Sequence, residues 1–258
     1  MNIVDTHCHL YSEEFREDIE NVIQSAQKAG VCRFYLPNID STSIAAMLHL
    51  EAQYPNVCIP MMGLHPCYVN EHYEQELDAV KDWLQKRPFV AVGEIGLDFY
   101  WDTSFTDQQY AAFHQQIGWA KQYDIPVVIH TRNAMQETID VVKQHAGGRL
   151  KGIFHCFGGS LQEAEQIIEM GFLLGIGGVL TYKKSGLKEV LKHIGLEHLV
   201  LETDAPYLTP VPFRGKRNES AYLPYVLKDL AEVKQVPAAE VAAVTTDNAN
   251  RIFKYIPA

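Results

Sequence analysis

Ile3-Val4-Asp5-Thr6-His7-Cys8-His9-Leu10 reads as a short strand that ends in two histidines. Alternate residues of a strand share a face, so His7 and His9 point one way and Cys8 the other. Neutral imidazoles in that arrangement suit one borderline metal ion such as Zn, Mn, Ni or Fe. Two partly exposed polar residues closing a strand would look the same in isolation. The positions of the other His, Asp and Glu residues decide between the two.

Outward from this stretch, apolar runs alternate with amphipathic stretches. After a first strand at 2–7, strands are predicted at 32–36, 57–63, 89–94, 126–130, 151–155, 172–176 and 198–202. Helices are predicted at 14–29, 41–53, 74–85, 106–123, 134–145, 160–171, 188–193, 221–235 and 238–244, with a tail around 249–255. Thr106-Asp107-Gln108-Gln109 and Ser160-Leu161-Gln162-Glu163 have the form of capping boxes. No linker-like stretch or short-period repeat interrupts the pattern. Eight strand–helix units predict one α/β domain over 1–258, a (β/α)8 TIM barrel, a fold that typically takes about 250 residues. The rival, an open doubly wound sheet, lacks a glycine-rich turn after its first strand.

The 258 residues are 47% hydrophobic and 21% charged, ordinary for a globular protein with a core. No apolar run nears the roughly 18 residues of a membrane span, and no secretory signal is visible. The five scattered cysteines suit a reducing cytosol, so a cytoplasmic location is expected. The net charge of −10 argues against broad electrostatic binding of long duplex DNA, while allowing a local cationic patch or a metal-filled mouth.

Barrel active sites sit at the C-terminal ends of the strands. His7 and His9 end the first strand, His65 follows the third, Glu94 ends the fourth, His130 the fifth, His155 the sixth and Asp204 the eighth. His49, His72, His114, His145, His193 and His198 fall elsewhere and read as solvent-facing or packed. His7, His9, Glu94, His130, His155 and Asp204 outnumber the three or four protein ligands of a single catalytic zinc. Two divalent ions, Mg, Mn or Zn, with a shared carboxylate fit better. Glu94 is the natural bridge, with His7, His9 and Asp204 on one ion and His130 and His155 on the other. A water between the ions would be the nucleophile, and Asp204 its proton acceptor as well as a ligand. Glu202 is either a proton relay behind the ligands or simply a buried, paired carboxylate. His65 either touches substrate or packs before Pro66. Cys8 and Cys156 flank ligands and read as core cysteines.

The substrate clue lies in the loops. Lys183 and Lys184 follow the seventh strand, Arg214, Lys216 and Arg217 the eighth, and Arg132 stands just past His130. On an acidic chain this clustering points to a phosphate-bearing ligand, with solubilising loop charge as the plainer alternative. Phe99, Tyr100, Trp101 and Phe105 are either base-stacking side chains or packed lid residues.

Together these stretches resemble a known family. The opening stretch, Gly63-Leu64-His65-Pro66, Gly93-Glu94-Ile95-Gly96-Leu97-Asp98, Ile129-His130-Thr131-Arg132, Phe154-His155-Cys156-Phe157 and Leu201-Glu202-Thr203-Asp204-Ala205-Pro206-Tyr207-Leu208 are similar to the motifs of TatD-type metal-dependent deoxyribonucleases. Arg214-Gly215-Lys216-Arg217-Asn218-Glu219 resembles their late basic loop. The resemblance implies a barrel hydrolase of the amidohydrolase superfamily, metal binding at the same six residues, Glu202 as a site residue, and 3′–5′ exonuclease action on DNA, single-stranded or at ends. Two positions depart from the pattern: Asn133 stands where an acidic residue is common, and Ser220 where proline often closes the basic loop. An amide or ester hydrolase, including an aminoacyl-tRNA deacylase, could use the same activated water. A non-catalytic metal-dependent nucleic-acid-binding protein is the third reading.

Overall fold

The computed structural model describes residues 2–254; Tyr255, at the end of the predicted tail, lies outside them. The strands are β1 Ile3–Asp5, β2 Val31–Pro37, β3 Cys58–Met61, β4 Val92–Asp98, β5 Val127–Arg132, β6 Gly152–Phe154, β7 Leu173–Ile176 and β8 Leu199–Leu201. The helices are α1 Ile19–Lys28, α2 Ile44–Gln53, α3 Tyr73–Lys86, α4 Thr106–Tyr123, α5 Met135–His145, α6 Leu161–Glu169, α7 Leu187–Leu191, α8 Leu223–Lys234 and α9 Ala238–Ile252. All strand pairs are parallel, in the orders β1-β2-β3 and β4-β5-β6-β7-β8.

Two seams close the ring. Thr6 N donates to Leu201 O (3.0 Å), Asp204 N to His7 O (2.9 Å) and His9 N to Ala205 O (2.7 Å), joining β8 to β1. Met62 N donates to Ala91 O (3.2 Å) and Gly93 N to Met62 O (3.1 Å), joining β3 to β4. The barrel expected from the alternation is therefore complete. Among the described residues no helix is long and apolar enough to cross a membrane.

Several boundaries differ from expectation for identifiable reasons. β4 does not end at Glu94, which is its third residue. A Cβ at Gly96 would lie 2.0 Å from His130 O, so the bare glycine lets β4 lie close against β5 and pairing continues to Asp98 and Arg132. The box at Thr106 does not form, because Gln109 is used elsewhere: its Oε1 accepts from Asp98 N (2.9 Å) and its Nε2 donates to Asp98 O (3.1 Å). Gln116, two turns further along α4, grips Leu64 the same way at 2.7 and 3.1 Å. The box at Ser160 and Glu163 does form. The first helix begins at Ile19, after a separate turn at Glu13–Phe15.

The predicted short last helix and tail merge into α9. The weak helix formers around Asn248 suggest a break there, but Asn248 is buried and its Nδ2 donates to Leu196 O (2.8 Å) and Leu199 O (2.7 Å). Val4, Tyr35, Met61, Ala91, Val128, Ile153, Leu173 and Val200 form a layer with Ala249, Ile252 and Phe253, so the last turn of α9 and Phe253 plug the barrel. Phe253 stacks on Tyr35 at 4.0 Å. Phe253→Ala is expected to cost about 3–5 kcal/mol, read as a lower urea midpoint; an unchanged midpoint would show that the plug is dispensable.

Candidate metal centre

At the C-terminal mouth, the other five predicted ligands and His65 gather around Glu94, which is 2% exposed. Its two oxygens face opposite ways. Oε2 lies 3.1 Å from His7 Nε2 and 3.6 Å from His9 Nε2. Oε1 lies 3.0 Å from His130 Nδ1, 3.5 Å from His155 Nε2 and 3.4 Å from His65 Nε2. Asp204 Oδ1 closes the cluster, 3.6 Å from His9, 3.7 Å from His7 and 4.0 Å from His155. Its backbone is left-handed, φ 57°, which turns the carboxylate in over the mouth.

The imidazoles are held by partners that a sequence pattern does not show. Tyr11 Oη donates to Pro37 O (2.5 Å), so it accepts from His9 Nδ1 (3.0 Å) and leaves the His9 Nε2 lone pair facing the cluster. Asp98, also buried, accepts from His130 Nε2 at 2.8 Å, leaving Nδ1 towards Glu94. Glu202 Oε1 accepts from Cys156 N (2.5 Å) and lies 3.1 Å from His155 Nδ1, an ion-pair contact whose angle is off-line for a hydrogen bond. A Cβ at Gly175 would lie 2.2 Å from Glu202 Oε2, so that glycine makes room for the carboxylate. Asn38, the residue after β2, forms a bridge: its backbone O accepts from Glu94 N (3.2 Å) and its Nδ2 donates to Gly63 O (2.9 Å). Cys8 is buried as expected. Cys156 is only half-buried, because β6 ends at Phe154 and strand alternation no longer governs it.

Both ring nitrogens of His7 are buried without a hydrogen-bond partner among the described residues. Such orphans cost about 1–3 kcal/mol each unless something satisfies them. A divalent cation fits: ligand atoms of His7, His9 and Glu94, of Glu94, His130 and His155, and of His7, His155 and Asp204 each lie within 4.8 Å of one another. If Tyr11 fixes the His9 tautomer, Tyr11→Phe weakens metal affinity about 10–100-fold with the fold unchanged; a competition titration with a chromophoric chelator reads this, and equal affinity would remove that role.

Around the rim, Lys183, Lys184 and Arg214 line a cavity of about 560 Å³ with Tyr182 and Ser185. Arg214 lies over the Tyr182 ring at 4.2 Å, and Tyr182 Oη donates to Thr209 O (2.9 Å), which ties together the loops after β7 and β8. Lys216 is exposed beside Phe213. Arg217, expected among the substrate cations, is engaged elsewhere. Its guanidinium meets both oxygens of Asp18 (2.9 and 2.7 Å) and Glu219 (2.9 Å), making it a strut to the start of α1. Bidentate carboxylates within reach hold a guanidinium more firmly than open loop geometry does. A second cavity, about 660 Å³, is lined by Glu13, Glu14, Glu17, Asp18, Arg16 and Arg217, a largely acidic wall unsuited to an anion.

A family model described as TatD related DNase matches residues 4–254. The chain belongs to the TatD family. The metal-dependent hydrolase YabD of Bacillus subtilis (strain 168), itself uncharacterized, is 38% identical over 253 residues, 98% of this chain and 99% of its own. The 3′-5′ ssDNA/RNA exonuclease TatD of Erwinia tasmaniensis is 32% identical over 255 residues, 96% of this chain and 98% of its own. The crystal structure of YjjV, a TatD homologue from Escherichia coli K12, matches with a TM-score of 0.92 at 33% identity over 98% of each chain. This TatD-family chain is a metal-dependent hydrolase on a TIM barrel.

The electrostatics of the TatD-family centre follow from crowding. Burial pushes the Glu94 carboxyl up, but the imidazoles of His7, His65 and His155 and the hydrogen bond from His130 hold it well below the usual range. Burial, with the charge of His155, lowers His7 below the ordinary histidine value, against the pull of Glu94. Burial also lowers His155, yet Glu202, Glu94 and Asp204 outweigh it and raise that imidazole to about 10. In the metal-free protein this proton stabilises the fold fully below the ordinary histidine value of 6.5, and the stabilisation is lost as pH rises through about 10. A metal must displace it, because histidine ligates as the neutral base. Metal affinity should therefore rise about tenfold per pH unit for each proton displaced between pH 6 and 9. Calorimetry in buffers of different ionisation heat measures the released proton; a flat affinity profile would contradict the assignment.

Proposed function

We propose that this TatD-family hydrolase cleaves phosphodiester bonds at the end of a single-stranded nucleic acid, as a 3′–5′ exonuclease, with Glu94 shared between two divalent ions. The observation that carries the reading is the division of Glu94: one oxygen towards His7 and His9, the other towards His130 and His155. Asp204 completes the first set. The ions, when bound, would supply charge to the phosphoryl oxygens and acidify a water.

The chain's own residues do the rest. Burial pushes the Asp204 carboxyl up, but His155, His9 and His7 bring it below the usual range, so it is ionised and able to accept a proton at the mouth. His65 Nδ1 accepts from Cys67 N (3.1 Å), which leaves the proton on Nε2, where it can be donated to a substrate oxygen. Glu202 acts behind His155, orienting it, and is not itself exposed to substrate. Lys183, Arg214 and Lys216 favour the phosphates of the approaching strand.

A sample stripped with chelator and reloaded with Mg, Mn or Zn should trim single-stranded DNA or RNA. Absence of cleavage with every metal, together with turnover of an amide or ester panel, would overturn the reading in favour of the amidohydrolase alternative.

A further inference from the structure

Trp101 is 68% exposed and Tyr100 51%, both in the loop after β4. One exposed aromatic is ordinary, but two adjacent ones make a contiguous apolar patch of the kind that contacts a ligand. The other two aromatics of this loop, Phe99 and Phe105, pack against the core, so the four divide into support and display. Arg132, at the end of β5, lays its guanidinium 3.7 Å from the Tyr100 ring centroid and 5.3 Å from that of Trp101. Tyr100 and Trp101 meet edge to face at 4.9 Å. Arg132 makes no ion pair among the described residues, so the donors on its edge remain available.

One buried carboxylate fixes this surface relative to the metal centre. Asp98 Oδ1 accepts from Tyr100 N (2.9 Å) and Trp101 N (3.1 Å), while Oδ2 accepts from His130 Nε2 (2.8 Å). Asp98 is itself held by Gln109.

We propose that Tyr100, Trp101 and Arg132 form a platform for one unpaired nucleotide, its base on the Trp101 indole and its phosphate on the Arg132 edge, at a distance from the cleaved bond set by Asp98. The inference rests on the nucleic-acid reading of the same site and adds the reason for a single-strand preference. In a duplex interior bases are stacked on both faces and the terminal base is still held by its partner, so an unpaired base is the one free to turn onto an exposed indole.

The test compares metal-loaded wild type, Trp101→Ala and Trp101→Phe on a single-stranded oligonucleotide. The same oligonucleotide, carrying an abasic unit at each of its last three positions in turn, is the second set of substrates. Trp101→Ala should lose about 5- to 150-fold in kcat/KM on the intact strand, the range that stacking of one base represents, and Trp101→Phe should recover part of it. Wild type should show the same loss for one abasic position, and Trp101→Ala no further loss on that substrate. Oligothymidylate should quench indole emission in wild type and not in Trp101→Phe. Additive losses, or a Trp101→Ala enzyme equal to wild type while both cleave DNA, would overturn the platform and leave the nuclease reading standing. If wild type cleaves neither intact nor abasic strands with any metal, the nuclease reading fails first and takes the platform with it.

Discussion

Glu94→Gln should leave a folded barrel whose turnover is lower by on the order of a thousandfold or more, equivalent to roughly 4 kcal/mol or more of lost barrier lowering. The substitution keeps the side chain's size and one carbonyl oxygen. It removes the negative charge that His7, His65 and His155 surround and that His130 hydrogen-bonds. A neutral amide cannot offer one anionic oxygen to each side of the centre. Its NH2 group would instead point a donor at one of the imidazole pairs, either His7 and His9 or His130 and His155. Circular dichroism and the thermal midpoint check the fold, and elemental analysis of the dialysed protein checks the metal. Wild-type turnover in Glu94→Gln would refute the bridging role.

The second large effect is expected at Asp204. Asp204→Asn should lower kcat by about 10²–10⁴, the range for losing a positioned proton acceptor. The backbone gives this variant a clean background: φ is 57° at Asp204, and asparagine tolerates that left-handed conformation better than most residues. The amide can still approach the histidines but cannot take a proton. The fall should therefore appear in kcat, accompanied by loss of the acidic limb of the pH–rate profile. A kcat within a fewfold of wild type would assign Asp204 to metal holding alone.

The barrel is legible in the sequence because each strand is an apolar run followed by an amphipathic helix, and because the polar residues fall where the runs stop. His7, His9, His130, His155 and Asp204, which the structure brings together, are singled out by that rule. Glu94 is found by it too, although β4 runs on to Asp98. What the pattern does not carry is whatever depends on two distant segments meeting. Tyr11 gains its meaning from Pro37 O and His9, and Gln109 and Gln116 from peptide groups of other elements. Arg217 reads as a free cation because Asp18, 199 residues away in sequence, is not visible as its partner. Ser220, which reads as a departure from the resembled pattern, donates to Asp5 Oδ2 (2.6 Å), a carboxyl that burial pushes up to about 7 despite hydrogen bonds from Ser220 and Thr203. Asp98 ends the Gly93-Glu94-Ile95-Gly96-Leu97-Asp98 stretch, yet its tie between His130 and the aromatic loop is a property of three-dimensional reach.

Anomalous diffraction from crystals of the manganese- or zinc-loaded protein tests the shared-carboxylate centre most directly. Two peaks should flank Glu94, one bonded to His7 and His9 and the other to His130 and His155, with nitrogen distances of about 2.0–2.2 Å. A single peak that engages only one of these pairs, or none at all among them, would contradict the account.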